Sequence, residues 1–323
     1  MGFPDTKLLL SRLKPWALVL LLVLVAPVVN ADSFRVLSQN MDRLFDNIDD
    51  GNNVQVVPGN RFQQRVKTAA KKFGSHFGLP HIIALQEVEN LNVLQQIATE
   101  IWDRYQARYR LILIPGQDVS GINLAYLVRF GVEIKKVDQL FANKTFKMTG
   151  KPLFTRPPLY LKACHIENCI SMLNVHLRSM RGINSSRNGE RVARKRLRQA
   201  ETIAAWSNRF QQSMQGESLL LLGDFNALTP GDKHVDVAGI LRGNPDNTAV
   251  RLPARDLLEP DLVDLTQLIP AAKRYSFIYR QKKQQLDYMF VNQSFGAEVE
   301  SITFSRIDAH FSDHAGLLAW FKW

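Results

Sequence analysis

Residues 219–226 carry the sequence Leu219-Leu220-Leu221-Leu222-Gly223-Asp224-Phe225-Asn226, in which four leucines run into a carboxylate and an amide two residues apart. The leucines predict a strand that is buried on both faces. Because side chains alternate across a strand, we expect Asp224 and Asn226 to point the same way and to converge on one small polar object. A phosphate with its metal ion fits that description.

Other predicted strands also end in an acid, an amide or a histidine. A lone residue of this kind is more often a turn former, a cap or a structural histidine. A full set is different, because carboxylates without thiolates suit a hard cation such as Mg²⁺, Mn²⁺ or Ca²⁺, and a histidine beside an acid can meet charge on phosphoryl oxygens. The set comprises Asn40, Asp42, Glu87, Asn174, His176, Asp224, Asn226, Asp287, Asp313 and His314.

The order of predicted elements favours an α/β fold of two packed sheets flanked by helices. Several neighbouring strands are joined by connections too short for a crossover helix, which argues against a doubly wound parallel sheet. Strands are predicted at 34–40, 81–85, 109–114, 122–128, 132–137, 219–222, 286–291 and 315–321, and helices at 61–77, 90–102 and 187–210, with a short one within 256–268.

Residues 1–31 have the pattern of a secretory signal peptide. A basic stretch precedes an apolar run from Trp16 to Val29, which is shorter than the roughly 20 residues needed to cross a bilayer. Cleavage is expected after Ala31, leaving one secreted or periplasmic domain without a stable membrane span. An uncleaved N-terminal anchor is the alternative.

The chain is basic, which predicts an anionic partner. The formal net charge is +11, of which Lys7, Arg12 and Lys14 against Asp5 supply +2, leaving +9 for residues 32–323. Nucleic acid suits such a balance through counterion release, although acidic envelope surfaces fit it too. The predicted helix at 187–210 could follow a nucleic-acid backbone or could simply be a solvated face. The arginines in question are Arg187, Arg191, Arg194 and Arg198.

The two cysteines, Cys164 and Cys169, lie in a strand-like stretch from Pro158 to His176. Four residues separate them, so a short hairpin would bring their Cβ atoms near bonding range, and export would favour oxidation. We therefore predict a disulfide across a hairpin. Free thiols are an alternative, and a zinc site is a poor one because no second pair is near.

The polar motifs closely resemble those of the endonuclease/exonuclease/phosphatase superfamily, in its secreted deoxyribonuclease-like branch, over about residues 34–322. The resemblance implies a four-layer α/β sandwich in which two central mixed, largely antiparallel sheets are flanked by helices, with the site at one edge. The motifs, in the family order, are Gln39-Asn40-Met41-Asp42, Leu85-Gln86-Glu87-Val88, Asn174-Val175-His176-Leu177, Gly223-Asp224-Phe225-Asn226, Leu286-Asp287-Tyr288 and Ser312-Asp313-His314.

The same resemblance implies roles for the metal and water side of the site. Glu87 would be the principal metal ligand, and Asp224 would orient or deprotonate the attacking water while Asn226 holds the phosphate. The assisting metal ligands would be Asn40, Asp42 and Asp313.

The resemblance also implies roles for the histidines. His314, oriented by Asp287, would stabilise the transition state, and His176 would contact the phosphate or protonate the leaving oxygen. Secreted relatives commonly carry an acid at the position of Asn123, paired with the histidine that corresponds to His176, and an amide could orient the ring but not raise its pKa in the same way. The implied phosphate-binding residues are Arg156 and Asn174.

These features predict an exported, divalent-metal-dependent phosphodiesterase, most simply a monomeric nuclease of low sequence specificity acting on DNA or RNA. A sphingomyelinase-like enzyme for lipid or small phosphoesters is the alternative. Lipid-cleaving relatives often carry an exposed aromatic hairpin, and no comparable run is evident here. A non-catalytic binding module on the same fold is less favoured, because only Asn123 departs from the motif set.

Overall fold

Two six-stranded sheets pack face to face in the computed structural model, which describes residues 33–51, 54–228 and 231–322, together with Gly2. In chain order, the strands are β1 (Phe34–Leu44), β2 (Ile82–Val88), β3 (Tyr109–Leu113), β4 (Asn123–Arg129), β5 (Glu133–Gln139), β6 (Leu159–His165), β7 (Asn168–His176), β8 (Ser218–Asp224), β9 (Val263–Asp264), β10 (Phe277–Tyr279), β11 (Lys282–Gln284), β12 (Asp287–Val291), β13 (Val299–Phe304) and β14 (Leu317–Phe321). The α-helices are α1 (Gly59–Lys71), α2 (Leu91–Tyr105), α3 (Gly189–Ser213), α4 (Val237–Arg242) and α5 (Gln293–Gly296).

Both sheets are mixed but mainly antiparallel. The strand order is β13-β14-β1-β2-β4-β3 in the first sheet and β5-β6-β7-β8-β12-β9 in the second. The parallel neighbours are β1 with β2 and β7 with β8, and the other pairs within the two sheets are antiparallel. Strands β10 and β11 form a separate hairpin.

The leucine run shows how the layers form. All four leucines are fully buried, with Leu220 and Leu222 in the core between the sheets, and Leu219 and Leu221 in the core beneath α3 and α4. A third core lies between the first sheet and helices α1 and α2. The predicted four-layer sandwich is therefore confirmed.

Local sequence explains where the helices of the first sheet lie and begin. In α1, Phe62, Val66 and Ala69 recur at the spacing of one helix face and are buried against that sheet. Helix α2 begins where the Asn90 side chain accepts a hydrogen bond from the backbone N–H of Val93 at 3.0 Å.

The helix predicted within residues 256–268 is wrong, because this segment holds only β9 and a 3₁₀ turn at Leu265–Leu268. Pro260 lacks a backbone N–H and disrupts a helix interior. Asp256 accepts from the backbone N–H of Leu258, and Asp264 from that of Thr266. Such side-chain bonds compete with helical ones.

The disulfide prediction is confirmed, since Cys164 and Cys169 face each other across β6 and β7 and are bonded. The predicted signal peptide, residues 1–31, lies outside the described residues except for Gly2, and the domain boundary after it stays a prediction. Among the helices in the described ranges, none has the length and apolarity required to cross a membrane.

Candidate active site

The polar edge of the second sheet follows from strand direction. Strand β8 runs parallel to β7 and antiparallel to β12, so the ends of β7 and β8 lie beside the start of β12. His176 pairs with Asp224 across β7 and β8, and Asp224 pairs with Asp287 across β8 and β12. Alternation then directs Asp224 to the same face as Leu220 and Leu222, toward the other sheet.

The first sheet delivers two side chains to the same place. Asn40 lies near the end of β1, and its Nδ2 donates to Oε1 of Glu87 at 3.2 Å and to Oδ2 of Asp224 at 3.1 Å. Glu87 has a left-handed backbone with φ of 61°, and its Oε2 accepts from the backbone N–H of Arg43 at 3.0 Å. Asn40 therefore bridges the two sheets inside the site.

The segment after Leu222 has a shape that only particular residues permit. Gly223 has φ of 129°, and a Cβ there would lie 2.1 Å from the carbonyl oxygen of Val175. Beyond the strand, Asn226 adopts φ of 48° and donates its backbone N–H to Oδ1 of Asp224 at 2.8 Å. Asn226 reaches the cleft through this turn, because β8 ends at Asp224 and strand alternation no longer applies.

His176 sits between the two carboxylates. Its Nε2 lies 3.4 Å from Oδ2 of Asp224 and 3.6 Å from Oε1 of Glu87. Burial, and secondly the nearby Arg156 and His314, hold the pKa of His176 well below its usual range, so the ring is neutral. No described atom hydrogen-bonds its Nδ1.

His314, unlike His176, is protonated. Its Nδ1 donates to Oδ2 of Asp287 at 2.7 Å, and its ring packs 5.0 Å from that of Phe277. Burial alone would lower the pKa of His314, but the charge and hydrogen bond of Asp287, together with the charges of Asp224 and Asp313, raise it to about 10. Around neutral pH this residue is a cation paired with Asp287.

Crowded carboxylates make the site suitable for a divalent cation. Burial, followed by the Asp287 carboxylate, raises the pKa of Asp224 to about 7. Burial also raises the pKa of Asp313 to about 6, with further contributions from Asp42 and Glu87. Oxygen donors with excess negative charge and no thiolate fit Mg²⁺ or Mn²⁺.

Two groups of three residues each bring their ligand atoms close enough together to hold a metal ion. In each trio the candidate atoms are within 4.8 Å of one another. One trio is Glu87, His176 and Asp224, and the other is Asp224, Asp287 and His314. Of the predicted ligands, Glu87 belongs to the first trio. Asn40 donates to Glu87 at 3.2 Å, and the charges of Asp42 and Glu87 contribute to the raised pKa of Asp313. Asp42 itself lines a separate pocket with Arg43, Arg61 and Arg65.

A cleft of about 1050 Å³ with a cationic rim is lined by Glu87, His176, Asp224, Asp313 and His314. Arg156 is fixed there by donation to the carbonyl oxygens of His176 and Leu177 and by an ion pair with Asp118 at 3.3 Å. Asp118 was not predicted, because a single loop aspartate carries no sequence signal of its partner. The cationic residues that line the cleft are Arg156, Arg178, Arg181, Lys195 and Lys233.

Besides Asp42, the predicted site residues Asn123 and Asn174 also lie outside the lining of the cleft. Asn174 is fully buried, and its Nδ2 donates to the carbonyl oxygens of Leu85 and Ala125 while its Oδ1 accepts from Gln86. Its side chain joins the two sheets and does not line the cleft, so direct phosphate contact by Asn174 has no support in the structure. The amide of Asn123 bonds the backbone of Gly116 and Glu89 instead of the His176 ring, and so braces the loop that carries Asp118.

The predicted basic helix face lies away from the cleft. Arg194 pairs with Glu190 and Arg198 with Glu201, each at 2.6 Å. The exposed Arg187 and Arg191 do not line the cleft either, and Lys195 is the α3 residue that does.

Arg196, in contrast, is fully buried and was missed as a structural residue. It pairs with Asp232 at 2.7 Å and donates to the carbonyl oxygen of Asn226 at 2.8 Å, which holds the turn after β8. Its position on the apolar stripe between Val192 and Ala200 was the signal that could have found it.

Arg65 of α1 is a second missed residue. Its guanidinium donates to the carbonyl oxygens of Met41, Asp42 and Arg43. Asp42 and Arg43 both have left-handed backbones, with φ of 47° and 52°. Arg65 therefore clamps the strained turn that carries Asp42 and presents the Arg43 N–H to Glu87.

Known structures share this fold at low sequence identity. A humanized D. rerio TDP2 aligns with a TM-score of 0.59 and 15% identity, covering 90% of this chain and 98% of that chain. D. rerio TDP2 complexed with single strand DNA product gives a TM-score of 0.55 and 15% identity, covering 90% and 99%. An endonuclease/exonuclease/phosphatase from Bacteroides vulgatus gives a TM-score of 0.57 and 15% identity, covering 89% and 98%. At this identity the likeness shows the fold alone.

A family model carries the assignment further. No curated protein matches the sequence. The model of the endonuclease/exonuclease/phosphatase family, however, matches residues 53–314, a range that includes Glu87, His176, Asp224 and His314. The chain therefore belongs to the endonuclease/exonuclease/phosphatase family of metal-dependent phosphoester hydrolases, as its motifs predicted.

Proposed function

We propose that this protein is an exported, divalent-metal-dependent nuclease of low sequence specificity that hydrolyses DNA or RNA. The observation that carries the proposal is the cleft in which Asp224, His176 and His314 lie beside five cationic side chains. A polymer with regularly spaced phosphates is the substrate class that such a rim attracts most strongly. The complex of D. rerio TDP2 with a single strand DNA product, in the same fold, supports this choice.

In the proposed mechanism, Asp224 orients the attacking water and accepts its proton. Its raised pKa makes it a stronger base than an exposed aspartate. Asn226, tied to Asp224 through its backbone N–H, lines the same cleft. Its Nδ2 donates to the carbonyl oxygen of Leu177 at 3.2 Å, which leaves a second N–H that can donate to a phosphate oxygen.

The two histidines act on the phosphate in different ways. Protonated His314, fixed by Asp287, stabilises negative charge that develops on the phosphoryl oxygens. His176 is neutral, and its low pKa favours hydrogen bonding to the phosphate over protonation of the leaving oxygen. The leaving oxygen therefore takes its proton from solvent water as its bond to phosphorus breaks, and Asp224 returns to solvent the proton that it accepted. Arg156 adds a second cation on the same side, beside the backbone of His176.

The carboxylate group around Glu87 is the place where a divalent ion would be held. Glu87 would hold it with Asn40, Asp42 and Asp313, and it would supply electrostatic stabilisation of the phosphate charge. The Asn40 amide and the Arg43 N–H hold the orientation of the Glu87 carboxylate through hydrogen bonds to its two oxygens.

The test is cleavage of plasmid DNA and of RNA by purified residues 32–323 with Mg²⁺ or Mn²⁺, against EDTA. Asp224→Ala is expected to lower the rate about 10²-fold or more, because it removes the base. Asp103→Ala, on the exposed side of α2, is the matched control and is expected to keep wild-type activity. Absence of metal-dependent cleavage of both polymers would contradict the proposal.

Export is part of the proposal and rests on the N-terminal pattern and on the disulfide, which suits an oxidising compartment. N-terminal sequencing of the protein recovered outside the cytoplasm is expected to begin at Asp32. Recovery of the chain in the cytoplasm with an intact N-terminus would contradict it.

A lipid phosphodiesterase is the second candidate, and one observation favours it. An exposed aromatic hairpin was not predicted, but β10 and β11 form a short one in which Ile278 is 47% and Tyr279 is 50% exposed. Release of phosphocholine from sphingomyelin liposomes, at a rate above that of nucleic acid cleavage, would favour this candidate over the nuclease.

A further inference from the structure

The β10–β11 hairpin forms one wall of the catalytic cleft. Phe277, Tyr279 and Gln284 line the cleft together with Asp224 and His314. Phe277 pairs with Gln284, and Tyr279 with Lys282, so these four side chains share one face of the hairpin. The hairpin therefore presents an aromatic surface to the reacting groups, and Arg280 at its tip lies over the Tyr279 ring, 5.3 Å from the ring centroid.

The base of the hairpin is fixed to the catalytic residues. Ser276 Oγ accepts the backbone N–H of Asp287 at 3.1 Å, and the Ser276 carbonyl accepts that of Ala315 at 2.8 Å. Phe277 also packs on the His314 ring. These contacts place the aromatic face beside Asp287 and His314.

The cationic rim lies on the other side of Asp224. In the second sheet, β8 stands between β7 and β12. The loop after β7 supplies Arg178 and Arg181, whereas the hairpin runs directly into β12. Asp224 at the end of β8 therefore lies between a wall suited to phosphates and a wall suited to flat, unpaired rings.

We propose that the cleft takes single-stranded nucleic acid, with its phosphates along the cations after β7 and its bases stacked on Phe277 and Tyr279. The inference rests on the proposed nuclease function and names its substrate form. Stacking requires the face of an unpaired base, which a duplex does not offer. The selection acts on strandedness and leaves base sequence unread, because aromatic faces accept every base.

The hairpin is less suited to a lipid surface. Its aromatic face turns into the cleft, and the two residues at its tip, Arg280 and Gln281, are polar. Membrane insertion requires apolar groups at the tip, pointing away from the site. On the opposite face of β10, pointing away from Phe277 and Tyr279, Ile278 is the single exposed apolar side chain.

Binding of labelled 12-mers separates these readings, measured by fluorescence anisotropy with Mg²⁺ in an Asp224→Ala background that prevents cleavage. Tyr279→Ala is expected to weaken binding of oligothymidine about 5- to 150-fold, the range for one lost stacking contact. Tyr279→Phe, which keeps the ring, and Ile278→Ala, on the opposite face, are expected to bind as before. A 12-mer of abasic sugars is expected to bind weakly, and Tyr279→Ala is expected to leave its affinity unchanged.

Equal affinity for oligothymidine and the abasic strand, or a silent Tyr279→Ala, would overturn the inference. So would sedimentation with phosphatidylcholine–phosphatidylserine vesicles that is lost on Tyr279→Ala, because the hairpin would then be a membrane contact. Hydrolysis of bis(p-nitrophenyl) phosphate with Mn²⁺ distinguishes failure of the hairpin inference from failure of the proposed nuclease function. If the ester is hydrolysed and Tyr279→Ala leaves oligonucleotide affinity unchanged, the hairpin role alone is refuted. If neither the ester nor nucleic acid is hydrolysed, the proposed function is refuted.

Discussion

Single residues around the site hold their positions through bonds that sequence does not display. Asp118 accepts hydrogen bonds from Ser120 and Thr155 and pairs with Arg156. Burial alone would raise its pKa, but Arg156 and these hydrogen bonds lower it below the ordinary value of 3.8. The carboxylate therefore stabilises the folded state above that pH.

Asp118→Asn is expected to lower the free energy of unfolding at pH 7. A depressed folded-state pKa contributes stability that is present above the unfolded value and lost as pH falls through the folded one. The difference between wild type and variant should accordingly shrink below about pH 4, as measured by urea unfolding at several pH values. A difference that stays constant from pH 7 to pH 3 would show that the charge of Asp118 does not matter.

Arg65→Met tests the clamp on the turn at Met41–Arg43. Loss of its three carbonyl contacts should let Asp42 and the Glu87 carboxylate drift, and groups that orient metal ligands typically change metal affinity about 10- to 100-fold. Calorimetric titration with Mn²⁺ measures this without catalysis. Arg61→Met, one turn earlier on the same helix and exposed, should bind Mn²⁺ as wild type does. Unchanged affinity in Arg65→Met would remove this role.

At the scale of elements, the β6–β7 hairpin separates stability from activity. Its disulfide links Cys164 and Cys169, whereas His176 lies seven residues further along β7, about 23 Å away. Replacing both cysteines with serine is expected to cost about 2 kcal/mol of stability through loop entropy and to leave the specific activity of the folded protein unchanged. Denaturant unfolding and initial rates on the same preparations check both halves, and a variant that is stable but inactive would contradict the separation.

Elements were predictable where one local rule dominated. The leucine run, the β6–β7 hairpin and the α1 face each followed from periodicity or spacing, and the strand ends led to Asp224 and Glu87. The predicted helix near Pro260 failed because turn-forming aspartates outweighed weak propensity. Asn174 has the same strand-end signature as His176, yet its side chain is buried and hydrogen-bonded between the two sheets. Its fate depends on packing between two sheets, which no local pattern encodes.

For the whole molecule, the net charge does not indicate which basic residues face the cleft. Arg194 and Lys195 are neighbours on α3, but Arg194 pairs with Glu190 and Lys195 lines the cleft. The slope of log affinity against log salt is negative, and Lys195→Ala should make it less steep by about 0.7 for a single-stranded oligonucleotide, because one phosphate contact is lost. Arg194→Ala should leave the slope unchanged. Anisotropy between 50 and 200 mM salt measures both, and equal slopes in the two variants would place binding outside the cleft.

The hydrogen bond from Asn40 to Asp224 joins residues 184 positions apart, and that from Ser312 to Asn40 joins residues 272 positions apart. Such contacts close long loops and form late in folding. Catalytic competence should consequently return only with the last phase of refolding, after most secondary structure has formed. Under the proposed nuclease function, a chain whose two sheets have not yet packed together lacks an active site, and it should therefore leave the nucleic acids around it intact until folding is complete.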